Sequence, residues 1–268
     1  VVEDEKHHPF SLVTIDPDGR VGSSPLKPGL FDADDGFWKL DDLEGIVLDR
    51  SQNIYAITSH SRDGDGDEKK SRNKLVRFGI EGDRVVAPAV VKDLKPALLT
   101  AHPVLAAAAA LPDVKADGGF NIEALEMSVD RQRLLLGFRS PLIGHRAIIA
   151  SVENPAGMFD AGEPPRVSPT LIALDLAGNG IRGMSYLPLL DGYLISSGPV
   201  GRAQTQFQVW FWSGRRGEPA RRVTVTGLPG FEHAEGVSPA LIDGQQRVII
   251  VSDDGSRDEG RFARFLLL

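Results

Sequence analysis

Apolar and polar positions along the chain fall into a repeated unit. Four segments open alike: Asp42-Leu43-Glu44-Gly45, Asn121-Ile122-Glu123-Ala124, Gly180-Ile181-Arg182-Gly183 and His233-Ala234-Glu235-Gly236. Each sets a charged residue before a small one and leads into an apolar run. A polar turn follows, then a second apolar run at Ile54–Thr58, Leu134–Leu136, Tyr193–Ile195 and Val248–Val251. Two apolar runs around a turn of Asp, Gly, Ser and Asn predict a β-hairpin. The register repeats: Glu44 to His60, Glu123 to Arg139 and Arg182 to Gly198 are each 16 residues, and Glu235 to Asp253 is 18.

A second hairpin follows in most units. Lys74–Phe78 and Val85–Val91 flank Glu81-Gly82-Asp83, Gln206–Trp212 and Arg222–Val225 flank Gly214–Pro219, and Ala147–Val152 and Thr170–Leu174 flank a Pro/Gly insertion. Four antiparallel strands in about 50 residues make one propeller blade. Phe10–Leu26 resembles a second hairpin alone, and Arg261–Leu268 supplies only a third strand. The expectation is an all-β single domain, a propeller of five or six blades with five preferred, closed where the chain ends meet. One helix is expected at Pro96–Leu111, where Ala and Leu dominate.

Composition narrows the function. The chain has 268 residues, 37 acidic against 30 basic side chains, a formal charge of −7 and no cysteine. An acidic balance argues against tracking a nucleic-acid backbone. The lack of cysteine removes disulfides, thiolate metal sites and a thiol nucleophile. No apolar run reaches the ~20 residues of a membrane span. The chain opens at Val1-Val2-Glu3-Asp4-Glu5 with neither initiator Met nor signal peptide, which reads as a processed start. A periplasmic or secreted monomer is expected.

Propeller geometry locates the candidate chemistry. The start of a blade's first strand and the end of its second lie on one face. That places Glu44, Glu123, Arg182 and Glu235 around the mouth of the central channel. Ser59, His60, Arg62, Arg139, Ser196, Ser197, Asp253 and Asp254 fall on adjoining loops. Converging carboxylates repel and call for a cation or a shared proton. The metal candidates are Glu44, Glu123, Glu235, Asp253 and Asp254, with calcium or magnesium favoured by an all-oxygen set. The catalytic candidates are His60, Glu123, Arg139 and Arg182, with His60 as the acid–base group. Ser59, Arg62, Arg139 and Ser197 are candidates for substrate contact. The ring also has a packing explanation, in which each blade-start residue bonds backbone of the next blade and Arg182 pairs with Glu123 or Glu235. Asp63-Gly64-Asp65-Gly66-Asp67 looks like a calcium loop but carries Glu68 and Lys74 where an EF-hand needs Gly and Glu, so a solvated turn is favoured. His7 and His8 read as a solvated terminus.

Asp42-Leu43-Glu44-Gly45-Ile46, Ser59-His60-Ser61-Arg62, Gly119-Phe120-Asn121-Ile122-Glu123-Ala124-Leu125, Leu136-Gly137-Phe138-Arg139-Ser140-Pro141 and Gly180-Ile181-Arg182-Gly183 resemble an uncharacterised family of bacterial propellers. The repeated Glu-Gly start is more distantly similar to the esterase-like phytase propellers. That resemblance implies calcium and hydrolysis of an ester or phosphate ester, although Ala124 and Arg182 depart from a full Glu-Gly ring. The leading expectation is a divalent-cation-dependent hydrolase acting on a small anionic or ester substrate in the channel mouth. The alternative is a non-catalytic propeller that binds a glycan, peptide or protein on the same face.

Overall fold

The computed structural model describes residues 1–3, 9–16, 18, 20–29, 36–201, 207–228, 231, 233–255 and 259–268. His7 and His8 lie outside the described residues. Four antiparallel sheets form the blades of a β-propeller. The first contains β3 (Leu43–Leu48), β4 (Ile54–Thr58), β5 (Leu75–Glu81) and β6 (Arg84–Val91). The second contains β7 (Asn121–Met127), β8 (Leu134–Ser140), β9 (Ala147–Val152) and β10 (Ile172–Leu174). The third contains β11 (Gly180–Leu187), β12 (Gly192–Gly198), β13 (Gln208–Trp212) and β14 (Arg221–Val223). The fourth has three strands, β15 (Ala234–Ile242), β16 (Gln245–Ser252) and β17 (Phe265–Leu267).

The N-terminal unit is a two-stranded sheet of β1 (Ser11–Ile15) and β2 (Val21–Pro25). The structure therefore has four blades plus this hairpin, where five or six blades were expected. The hairpin joins the first blade through a parallel bridge between Lys27 and Arg84. Phe10 and Leu26 share a core with Phe37, Ala56, Val76 and Phe78. The C-terminal strand is a third strand, as expected. No strand pairing among the described residues joins the fourth blade to the hairpin.

Blades meet through successive apolar cores. Ile57 and Leu75 of the first blade pack with Ile122, Leu136 and Phe138 of the second. Ile149 and Leu135 of the second pack with Ile181, Tyr193 and Trp212 of the third. Leu194 and Val209 of the third pack with Ala234 and Ile250 of the fourth. Strands β7, β8 and β12 are buried along their whole length, which suits strands covered on both faces. Glu126, buried in β7, accepts from the Tyr186 amide at 2.9 Å and from Ser185 Oγ at 3.1 Å, tying the second blade to the third.

The expected helix at 96–111 is two helices, α1 (Leu94–Ala101) and α2 (Pro103–Ala109), followed by the single turn α3 (Val114–Asp117). Pro103 lacks an N–H and forces His102 into extended backbone, which splits the segment. Leu98 and Leu105 still reach the core beneath Phe138. A further short helix, α4 (Pro155–Asp160), occupies the insertion of the second blade.

Candidate functional site at the channel mouth

The four blade-start residues share one backbone device. The ladder β3–β4 slips between Leu43 and Gly45, β7–β8 between Ile122 and Ala124, β11–β12 between Ile181 and Gly183, and β15–β16 between Ala234 and Gly236. The residues skipped are Glu44, Glu123, Arg182 and Glu235. Each sits at a β-bulge, unpaired in the ladder, and a bulge re-aims its side chain. Arg139 is skipped on β8 in the same way.

The small residue after each charge is explained by packing. A Cβ on Gly45 would lie 2.7 Å from the Leu125 backbone nitrogen of the second blade, and one on Gly183 would collide with the Glu235 carbonyl of the fourth. Glycine therefore lets neighbouring inner strands approach, and the approach brings the bulged side chains together.

They form one charged cluster. Arg182 Nη1 donates to Glu123 Oε1 at 3.1 Å, and Arg182 Nη2 donates to Glu235 Oε1. Arg139 Nη1 donates to Glu123 Oε1 at 3.2 Å, while its Nε donates to the Val200 carbonyl at 3.1 Å. Asn121 Nδ2 donates to the same Glu123 oxygen at 2.8 Å. Arg182 also lies over the Phe207 ring, 5.7 Å from its centroid. Glu123 is 2% exposed, and Arg139 and Arg182 are each 8% exposed. These three form the floor of the site. Three atoms in or beside that floor are buried with no hydrogen-bond partner among the described residues: Glu123 Oε2, Arg182 Nε and Asn121 Oδ1. Glu123 Oε2 does lie 3.1 Å from Arg182 Nη1, as an ion-pair contact without hydrogen-bond direction.

Glu44 differs from the other two ring glutamates. Its carboxyl takes no side-chain hydrogen bond or ion pair among the described residues, and the residue is half-buried. Burial first, then the charges of Glu123, Asp42 and Glu235, push it well above the usual carboxylate range, and Arg182 opposes them only in part. Burial likewise raises Glu123 to about 7, against the pull of Arg182 and Arg139. Asp253 is exposed as a residue, yet its carboxyl is crowded by protein. That burial, with Glu235 beside it, raises the group to about 6. Three perturbed carboxyls around one guanidinium mark a candidate functional site.

Other residues expected at the mouth are committed elsewhere. Asp254 pairs with Arg264, 2.8 Å from Nη2, and accepts from Ser252 Oγ, so it is separate from the carboxylate ring. His60 is fully buried; its Nδ1 faces the Thr58 carbonyl at 2.7 Å, and burial lowers the ring to about 4. A carbonyl only accepts, so Nδ1 carries the proton and Nε2 is left buried without a partner. The charges His60 senses are Lys95 and Glu68, not the ring. Ser59 is buried and donates to Asp42 Oδ2, which Arg72 Nη1 also holds at 3.0 Å. Ser197 is buried and accepts from Trp210 Nε1 at 2.9 Å. Ser196 Oγ donates to the Glu235 carbonyl at 3.0 Å and so supports that bulge.

Arg62 clamps the acidic loop, donating to the Gly66 carbonyl at 2.9 Å and the Ala109 carbonyl at 3.2 Å. Within that loop Asp63 Oδ1 accepts from the amides of Asp65 and Asp67, and Lys69 lies 3.1 Å from Asp63 Oδ2. This is an Asx turn neutralised by lysine. No group of three or more His, Asp or Glu among the described residues is arranged to hold a metal ion. Where calcium or magnesium was expected to balance Glu123 and Glu235, the Arg182 guanidinium sits between them.

Two residues of this neighbourhood were not anticipated. Asn121 orients Glu123 from within the same repeat opening. Phe207 faces Arg182 from the start of the third blade's outer hairpin, a contact that no sequence pattern announces.

The chain is similar to the major allergen Mala s 1 of Malassezia sympodialis at 10% identity, covering 100% of this chain and 90% of that one with a TM-score of 0.46. It is similar to a PQQ-bound aldose sugar dehydrogenase from Streptomyces coelicolor at 14%, covering 85% and 63%, TM-score 0.41. It is also similar to the periplasmic gluconolactonase of Pseudomonas aeruginosa at 10%, covering 96% and 63%, TM-score 0.40. The chain thus spans less than two thirds of the dehydrogenase and of the lactonase. No curated protein matches it in sequence. The family model described as "Protein of unknown function (DUF3616)" matches residues 90–263, and the chain belongs to that family.

Proposed function

We propose that the channel mouth is the active site of a hydrolase that cleaves a small ester by carboxyl acid–base catalysis. The observation that supports it is Glu44: a half-buried carboxyl with no side-chain partner among the described residues, beside a carboxylate pair already neutralised by Arg182. A protonated Glu44 is placed to act as general acid. Asp253, at the rim, is the base. It takes a proton from water as the water oxygen bonds to the ester carbonyl carbon. When the carbon–oxygen bond to the alcohol breaks, Glu44 gives its proton to the leaving oxygen. The products are a carboxylic acid and an alcohol, and both roles need pKa values near the working pH. Glu123, Arg139 and Arg182 hold the floor rigid and keep Glu235 oriented.

Both arginines are engaged with carboxylates, so the site favours an uncharged ester over a phosphate ester, which needs free cationic donors. A second reading has one observation in its favour. Ser59, Ser197 and His60, the hydroxyl and imidazole candidates, are buried in structural bonds, as a non-catalytic glycan- or peptide-binding propeller would allow. A panel of carboxylic esters, lactones and phosphate esters separates the two. Turnover of an uncharged ester that is lost in Glu44→Gln supports the hydrolase, and no turnover across the panel supports the binding propeller.

A further inference from the structure

On the third and fourth blades, strand direction gathers a set of exposed apolar and basic residues at the end opposite the ring. β11 runs away from the ring face and ends in the turn that carries Leu189 and Leu190, which are 73% and 47% exposed. β15 runs the same way and ends with Leu241, 72% exposed. β17 also finishes at this end, with Leu268 37% exposed. Between them lies an open cleft of about 530 Å³ lined by Leu190, Leu194, Phe211, Val223, Val225 and Leu268. Leucines at turn tips lose water contact only if something covers them.

Charge indicates what covers them. The hairpin β13–β14 belongs to the same end and carries Arg215, Arg216, Arg221 and Arg222 within eight residues, against one acid, Glu218. Arg215 faces Glu218 at 3.7 Å; Arg216, Arg221 and Arg222 make no ion pair among the described residues. Arg221 stands directly across from Phe211, which stands across from Leu194, so a guanidinium borders the apolar cleft on one sheet face. The other charges on these turns are Asp191, bonded by Tyr186 Oη at 2.7 Å, Asp243 and Arg247. Five arginines against three acids make this end positive on a chain whose formal charge is −7.

We propose that this end of the third and fourth blades docks on an anionic lipid bilayer, with Leu189, Leu190 and Leu241 entering the interface and Arg216 and Arg221 on the headgroups. Exposed leucine tips beside unpaired arginines supply the two forces of peripheral membrane binding, apolar burial and attraction to anionic lipid. The ring then faces away from the membrane, open to solvent.

The test is sedimentation of the intact protein with vesicles of phosphatidylcholine and phosphatidylglycerol in equal parts, beside vesicles of phosphatidylcholine alone. The expected result is binding to the anionic vesicles only, weakened at least tenfold between 50 mM and 500 mM salt. Leu189→Asp with Leu241→Asp, and separately Arg216→Glu with Arg221→Glu, should each lower partitioning at least tenfold while thermal unfolding stays unchanged. All four positions are exposed turn or edge sites, so folding is preserved. Three outcomes overturn the proposal: no binding to anionic vesicles at low salt, equal binding to both vesicle types, or a concentration-dependent dimer in solution that Leu189→Asp dissolves. The last would make the patch an interface between copies.

Discussion

Glu123 and Arg182 occupy the same bulge position on adjacent blades, and the guanidinium Nη1 of one reaches the carboxylate Oε1 of the other at 3.1 Å. With Glu235 on the far side of Arg182, a single arginine spans three consecutive blades. Removing it leaves two carboxylates facing each other with little water. Arg182→Met should cost about 3–5 kcal/mol, the cost of breaking a buried ion pair from one side. Urea unfolding checks this. Adding Glu123→Gln to Arg182→Met should recover part of the loss, because one orphaned charge is gone.

The same geometry makes a prediction about cations. With Arg182 in place the ring carries its own positive charge, so millimolar calcium should leave the melting temperature of the parent protein unchanged. In Arg182→Ala the converging Glu44, Glu123 and Glu235 need a new counter-charge, and calcium should raise the melting temperature with concentration. A shift in the parent that Glu123→Gln abolishes would show instead that a cation displaces the arginine.

The repeat was legible in the sequence because its two signals have separate physical causes that recur together. The charge is the bulged residue, and the Gly or Ala after it is the point where the next inner strand comes close. The ring and the hairpin order follow from that register, while the bulges are visible only in the strand ladders. The side chains on the loops after the second strands were not legible. Their orientation depends on partners distant in sequence: Arg72 on Asp42, Arg264 on Asp254, Trp210 on Ser197. The counter-charge was legible in part: Arg182 was read as a partner of Glu123 or Glu235, and the structure pairs it with both. The break between α1 and α2 was visible as Pro103, but the helix was read across it.

The glycines after the bulges give a direct test of the packing explanation. Gly45→Ala should cost about 1–3 kcal/mol, because its Cβ meets the Leu125 backbone at 2.7 Å and backbone cannot step aside. Gly183→Ala should cost at least as much against the Glu235 carbonyl. Gly64→Ala, with nothing within 4 Å of its Cβ, is the neutral control. Thermal unfolding of the three variants ranks them.

Stability should depend on pH with two opposing limbs. Glu123 titrates at about 7 folded against 4.5 ordinarily, and Glu44 is raised as well, so the folded protein holds more protons across that window. Stability therefore falls as pH rises through it, and the Glu123 share of the fall is complete above about 7. His60 is lowered to about 4 from 6.5, so its contribution is present above 6.5 and lost as pH falls toward 4. The Glu123 and His60 shifts are each worth about 3 kcal/mol. Melting temperatures from pH 4 to 9 should show a smaller alkaline fall in Glu123→Gln and a smaller acid fall in His60→Gln.

The most direct measurement of the central claim is the pH–rate profile of ester hydrolysis in the parent, Glu44→Gln and Asp253→Asn. The parent's rate should rise through about 6 as Asp253 ionises and fall at higher pH as Glu44 loses its proton. Glu44→Gln should remove the upper limb and Asp253→Asn the lower. Each should also lower the maximal rate by about 10²-fold or more, the usual contribution of a positioned acid or base. A parent protein that turns over no ester, or variants that keep the parent's rate and both limbs, would contradict it.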